Sequence, residues 1–149
     1  RAFEQQFWNE WFPIYTKWKK EIFESYLKNG YIETHFGFRF RGYMDRKQAA
    51  NYPIQGTSFH MLLYSLIKLD AELKIRGMKT KLVGQIHDSV VAQVPIDEID
   101  LYCSIFTSIV KNLQSELPWL CIPMVAEMEI SKPREEGGSF AEMFPIHIK

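Results

Sequence analysis

Three sets of residues have the types and spacing to do chemistry. The first is Gln85-Ile86-His87-Asp88, which lies between an apolar run at Leu82 and Val83 and another at Val90, Val91 and Val94. A carboxylate on a rigid hairpin tip is well placed to hold a hard cation. Magnesium takes one or two carboxylates and completes its shell with water and phosphate oxygens. Gln85 and His87 flank the acid with groups that can hydrogen-bond a ligand. The same acid has a plain conformational reading, because Asp tolerates tight turns and bonds its own backbone.

The second set is Asn51-Tyr52-Pro53-Ile54-Gln55-Gly56-Thr57. In a helix Asn51 and Gln55 stand one turn apart and face the same way. Two amides on one face can touch base edges or sugars in a minor groove. Without function, the segment reads as a polar helix start with Thr57 or Ser58 as capping material. The third set is a run of positive charge. Between Arg39 and Lys81 there are nine basic residues and three acidic ones, an excess of +6. Lys68, Lys74 and Arg76 read as solvated cations on a helix surface. Arg39, Arg41, Arg46 and Lys47 are closer together, interleave with aromatics and are the better phosphate contacts.

These sets need elements to position them. Phe3, Phe7, Trp11, Ile14, Trp18, Ile22 and Tyr26 follow helical spacing over residues 1–29, with a kink or a junction of two helices at Pro13 and a stop at Asn29-Gly30. Residues 31–43 alternate as a hairpin around Gly37, which puts Arg39 and Arg41 on one face of an extended strand. Residues 45–56 are polar and mixed, and Pro53 suits only a first helical turn. A helix is expected from Gly56 to Arg76, with Phe59, Leu62, Leu63, Leu66, Ile67, Leu69 and Leu73 as its apolar stripe and Gly77 as its stop. Residues 79–94 then read as two strands, with Val83 and Ile86 beside Val90, Val91 and Val94 making rigid strands beneath His87-Asp88. Pro95, with Asp97 or Asp100, opens a further helix whose stripe runs from Ile99 to Leu113. Met124 to Ile130 alternates as a last strand, and the tail reads as a loop with a short helical turn. This order predicts an α+β fold with a mainly antiparallel sheet.

Composition bounds the function. The chain has 149 residues, 46% of them apolar and 24% charged, with 18 Lys and Arg against 18 Asp and Glu. That excludes a disordered chain and a globally basic nucleic-acid binder, but not a local basic patch. Cys103 and Cys121 match no metal or redox spacing, which favours a reducing compartment. No apolar run approaches the ~18 residues of a membrane span, and no signal peptide is legible. The first residue is Arg1 and not Met, so the sequence reads as a processed product or a piece of a longer protein.

With its motifs in order, the chain resembles the C-terminal half of a family A, polymerase I-like DNA polymerase. The family shows N-x-P-[IM]-Q-G-[TS] at a helix start, matched by NYPIQGT, and Q-[VI]-H-D-E about thirty residues later, matched by QIHDS. KNGYIETHFGFRFRG resembles the family's G-Y-V-x-T-x-x-G-R-R, and the helix before it resembles the one that leads from fingers to palm. The resemblance implies a palm-type antiparallel sheet whose catalytic β-hairpin packs against long helices. Residues 1–50 would be the fingers-to-palm helix and hairpin, and 51–149 the palm.

The resemblance also implies roles. Asp88 matches one of two metal-binding carboxylates, His87 a residue near the primer terminus, and Gln85 its hairpin neighbour. Asn51 and Gln55 match minor-groove and template contacts. Lys47 falls where the family usually has a DNA-contacting Arg. Arg39 matches part of the Arg pair, with Phe38 in its partner's place and Arg41 as a substitute. The implied cofactor is Mg2+, two ions in the complete enzyme, or Mn2+ instead. The implied partners are primer-template DNA, deoxynucleoside triphosphates and the N-terminal part of the polymerase, with no membrane. The implied location is the cytoplasm of a bacterial or phage-infected cell.

The departures are specific. Ser89 stands in place of the family's Glu, and neither D-[YF]-[SK]-x-x-E-x-R nor R-x-x-x-K-x-x-x-[FY]-G-x-x-Y occurs in the chain. The first pattern carries the partner carboxylate of Asp88, and the second binds the incoming nucleotide. The expectation is a DNA-directed DNA polymerase in which this chain supplies one metal carboxylate and primer-template contacts, and is inactive alone. A non-catalytic DNA-binding or interaction module derived from a polymerase is the competing class. An unrelated α+β domain with a chance His-Asp hairpin is the third.

Overall fold

A computed structural model describes residues 2–146. The expectations placed on Arg1 and on residues 147–149 lie outside the described residues. The chain forms two compact units, Arg1–Met61 and Leu62–Lys149.

The first unit opens with helix α1 (Ala2–Gln6), a π-helical turn (Phe7–Trp11) and helix α2 (Pro13–Asn29). The expected junction at Pro13 is present: Phe12 leaves helical geometry, and Pro13 takes the first position of α2, where its missing N–H has no partner to lose. Helical spacing translates only into half-burial here: Trp18, Ile22 and Tyr26 are half-buried, α2 has no fully buried residue, and Trp11 and Ile14 are exposed. Gly30 ends α2 in the left-handed conformation at φ 76°, its N–H donating to the Tyr26 carbonyl at 2.8 Å. Strands β1 (Tyr31–Glu33) and β2 (Arg39–Arg41) then pair antiparallel, with Ile32 opposite Phe40. Ile32, Met44 and Ala49 form the core, with Ile22, Phe23, Tyr26, Phe40 and Tyr52 packed against it. The Tyr26 hydroxyl closes this corner, donating to the Gly42 carbonyl at 2.8 Å and accepting the Met44 N–H at 3.0 Å.

Helix α3 (Arg46–Ile75) begins ten residues before its expected start at Gly56. Asp45 and Gln48 explain the difference. The Gln48 N–H donates to Asp45 Oδ1 at 2.8 Å, and the Asp45 N–H donates to Gln48 Oε1 at 3.1 Å, a reciprocal capping box. Pro53 therefore sits inside the helix and not in its first turn. An interior proline costs about 3 kcal/mol or more, and burial of Ala49, Ala50 and Pro53 on one face opposes that cost. Gly56 is needed for space: a Cβ there would come within 2.7 Å of the Phe40 ring and 2.9 Å of Thr34 Cγ2.

The second unit contains strands β3 (Lys81–Ile86) and β4 (Ser89–Gln93), helix α4 (Ile99–Glu116), and strands β5 (Glu129–Ser131) and β6 (Met143–Pro145). Leu69, Leu73 and Ile105 form its core, joined by Leu66, Met78, Leu82, Tyr102, Phe106 and Ile109. The β3–β4 hairpin is thus anchored through Leu82 on long helices. Burial pushes the Tyr102 hydroxyl up to about 12, as desolvation of its anion requires. The α+β class holds. Among the described residues the strands form three two-stranded antiparallel ladders. The expected last strand narrows from 124–130 to Glu129–Ser131, and the tail carries a 3-10 turn at Arg134–Glu136 plus the unexpected β6, which pairs with β5. No helix among the described residues is long and apolar enough to cross a membrane.

Candidate functional site

The β3–β4 ladder ends with Ile86 opposite Ser89, so His87 and Asp88 are the two residues of its turn. Asp88 is exposed, and no hydrogen bond or ion pair among the described residues engages its carboxylate. His87 has φ 54°, the only positive φ at a non-glycine among the described residues. The Gln85 side-chain amide donates to the His87 carbonyl at 3.3 Å, which ties the turn to the strand beneath it.

A bulge sets which side chains face the helices. Leu82 pairs with Ala92 and Gly84 with Val91, leaving Val83 without a ladder partner. The extra residue shifts the alternation, so Leu82 and Gln85, three apart, share the half-buried side. Val83 and Ile86 lie in β3 beneath the tip, as the strand reading expects, but they face outward and are 60% and 48% exposed. Val90, Val91 and Ala92 of β4 are half-buried instead.

The base of β3 is held by a residue that sequence reasoning passed over. The Glu98 carboxylate accepts the Lys79 N–H at 2.7 Å, the Thr80 N–H at 2.9 Å and the Thr80 hydroxyl at 2.7 Å. The Lys79 amide, with the Thr80 hydroxyl next, holds the Glu98 carboxyl below the usual carboxylate range. Asp97 and Asp100 were the expected openers of α4. In the structure Ile96–Glu98 is a 3-10 turn, and Glu98 makes no capping bond to α4. Position alone could have raised Glu98, since it follows Pro95 in the same acidic turn, but nothing local points it back to Thr80.

The other predicted residues lie in the first unit. Lys47, Asn51 and Gln55 are all exposed on α3 at four-residue intervals, so they form one row on one face. Arg39 and Arg41 point outward from β2 while Phe40 turns inward. Arg39 is not a free cation: it is ion-paired with Glu33 across the β1–β2 ladder and lies over the Tyr31 ring at 4.5 Å. The hydrogen bond that its guanidinium donates to the Glu33 carboxylate raises its pKa above the ordinary guanidinium value. Arg41 lies 5.7 Å from the same ring and has no carboxylate partner among the described residues.

The positive run is therefore partly neutralised. Lys68 pairs with Glu116, Lys74 with Asp70 at 2.6 Å, and Arg76 with Glu72 at 3.0 Å. These exposed pairs contribute little stability, about 0–1 kcal/mol each, but they leave Arg41 and Lys47 as better-presented charges than the bare count suggests.

The donor set bears on a metal. Among the described residues no group of three His, Cys, Asp or Glu side chains comes together. One exposed carboxylate fits a magnesium ion that takes its remaining oxygens from water, phosphate and a second carboxylate outside this set. It does not fit a site closed by the described residues alone.

Comparison with known proteins gives the family of the chain. The family model for DNA polymerase family A matches residues 2–136. The chain is 24% identical to DNA polymerase I of Chloroflexus aurantiacus over 145 residues, covering 91% of this chain and 14% of the relative. It is 31% identical to DNA polymerase I of Streptococcus pneumoniae over 130 residues, covering 79% of this chain and 14% of the relative. The fold is similar to the POL domain of Pol1 from M. smegmatis, solved in complex with DNA primer-template and dNTP. The TM-score is 0.57 at 21% identity, over 64% of this chain and 19% of that chain. The matched segment is thus a small part of much longer proteins. A match reaching from α1 to the turn after β5 leaves little of the chain unaccounted for, and the chain belongs to DNA polymerase family A.

Proposed function

We propose that this chain is the part of a DNA-directed DNA polymerase that supplies one catalytic carboxylate and a share of the primer-template contacts. The observation that carries the reading is Asp88, an unpartnered, exposed carboxylate on the two-residue tip of a hairpin anchored at its base. Asp88 would hold magnesium, or manganese instead, with a second carboxylate from the rest of the polymerase. Such ions, once bound, would supply charge stabilisation to the attacking 3′ oxygen and the leaving pyrophosphate. His87 and Gln85 position the tip, with His87 beside the primer terminus. Lys47 and Arg41 contact backbone phosphates, Asn51 and Gln55 contact the minor groove, and Arg39 contributes less because Glu33 engages it. Nucleotide transfer belongs to the complete polymerase, with deoxynucleoside triphosphates as substrates, and this chain alone is inactive.

Primer extension by that polymerase carrying Asp88→Asn tests the reading. Loss of extension with primer-template binding retained supports it. Extension near the parental level contradicts it and leaves a DNA-binding module, which the single carboxylate of this donor set would also suit.

A further inference from the structure

Helix α3 carries a fourth residue in line with its polar row. Phe59 follows Gln55 by four residues, so Lys47, Asn51, Gln55 and Phe59 form one continuous row of neighbours that winds about 40° around the helix at each step. At 1.5 Å per residue the row is about 18 Å long. The spacing of Phe59 with Leu62 and Leu66 predicts a core position, yet Phe59 is 46% exposed. It belongs to a cluster of rings. Phe59 meets His60 edge-on at 5.4 Å, and His60 lies against Phe38 at 5.2 Å and Phe36 at 5.8 Å. Phe38 is half exposed too. His60 Nδ1 lies 2.6 Å from the Gly56 carbonyl, which only accepts, so Nδ1 donates and the imidazole is fixed among the phenyl rings.

The cluster is therefore a fixed aromatic surface with two rings open to solvent. The exposed residues of α3 between Lys47 and Phe59 are Asn51, Ile54, Gln55 and Ser58, with no carboxylate among them. A polyanion meets one cation and no repulsion along the row. A row of cation, amide, amide and aromatic ring suits a nucleic-acid strand, because every base offers a π-face to stack on whatever its sequence.

The geometry points to an unpaired nucleobase of single-stranded DNA as the occupant of this cluster, stacked on Phe59 and Phe38 while the polar row runs beside its backbone. The inference rests on the reading of α3 as a DNA-contacting face. It adds residues, Phe59, Phe38 and His60, and a ligand state, the unpaired base.

Fluorescence anisotropy of the 149-residue chain with a single-stranded oligonucleotide, and with a blunt duplex of the same sequence, tests it at one fixed salt concentration. Phe59→Leu and Phe38→Leu keep apolar bulk and remove the ring, and Phe59→Trp keeps a stacking face. The expected result is a loss of about tenfold in single-strand affinity for each leucine variant, unchanged duplex affinity, and parental single-strand affinity for Phe59→Trp. Leucine variants that bind single strands like the parent overturn the inference, as does a parent that binds no single strand. Lys47→Ala separates the two readings. If it weakens duplex binding while the leucine variants change nothing, the α3 face stands without the stacking site. If it changes nothing either, the DNA reading of α3 falls as well.

Discussion

His87 shows how much one backbone angle decides at the hairpin tip. A φ of 54° costs an ordinary L-residue about 1–2 kcal/mol. Histidine is among the residues that tolerate this region, and β-branched residues are not. His87→Val should therefore lower unfolding stability by about 1–2 kcal/mol, while His87→Gly, free of that penalty, should unfold at or above the parental midpoint. Urea denaturation of both variants checks this. The same pair separates geometry from chemistry. If the imidazole acts beside the primer terminus, His87→Gly yields a stable protein that incorporates nucleotide slowly. Full incorporation by that variant would reduce His87 to a turn residue. Gln85 and Asp88 were legible in the sequence as a polar tip between apolar strands. The angle at His87 was not, because histidine adopts both signs of φ and only the two-residue turn forces the positive one.

Among the elements, the β3–β4 hairpin owes its position to both ends. Its upper half is set by the bulge at Val83, and its lower end by Glu98. Because the Glu98 carboxyl is held below its ordinary range, its contribution to stability is fully present above the unfolded pKa. It is lost as pH falls through the lowered folded value. Glu98→Gln should melt below the parent at neutral pH, and the two curves should converge in strong acid. A gap that stays constant with pH would contradict the carboxylate's role. The capping box at Asp45 and Gln48 was present in the sequence as D-x-x-Q, and it announces α3 ten residues before the apolar periodicity does. Pro53 obscured it, since an interior proline argues against a helix until the burial of Ala49 and Ala50 is known. Strand β6 had no comparable signal. Met143–Pro145 is three residues long and becomes a strand only by pairing with β5.

For the whole molecule, a net charge of zero conceals an uneven distribution, and the ion pairs refine it further. Each phosphate contact contributes about 0.9 to the slope of log affinity against log salt on duplex DNA. Lys47→Ala and Arg41→Ala should each flatten the slope by roughly one unit, and Arg39→Ala should change it less because Glu33 already engages that guanidinium. Equal effects at all three positions would show that the Arg39–Glu33 pair opens on DNA. The segment spans 14% of the relatives' length, so catalysis is a property to be measured in the complete polymerase. The most direct measurement is single-turnover nucleotide incorporation for Asp88→Asn beside Ser89→Ala. Asn keeps the shape of Asp88 and a hydrogen-bonding group but not its charge. Metal stabilisation of the transition state is worth several kcal/mol, and about 1.4 kcal/mol is tenfold in rate. The account predicts a loss of about a thousandfold or more for Asp88→Asn, with primer-template affinity unchanged. It predicts about tenfold or less for Ser89→Ala, which gives up only a neutral hydroxyl. Asp88→Asn incorporating at the parental rate would contradict it.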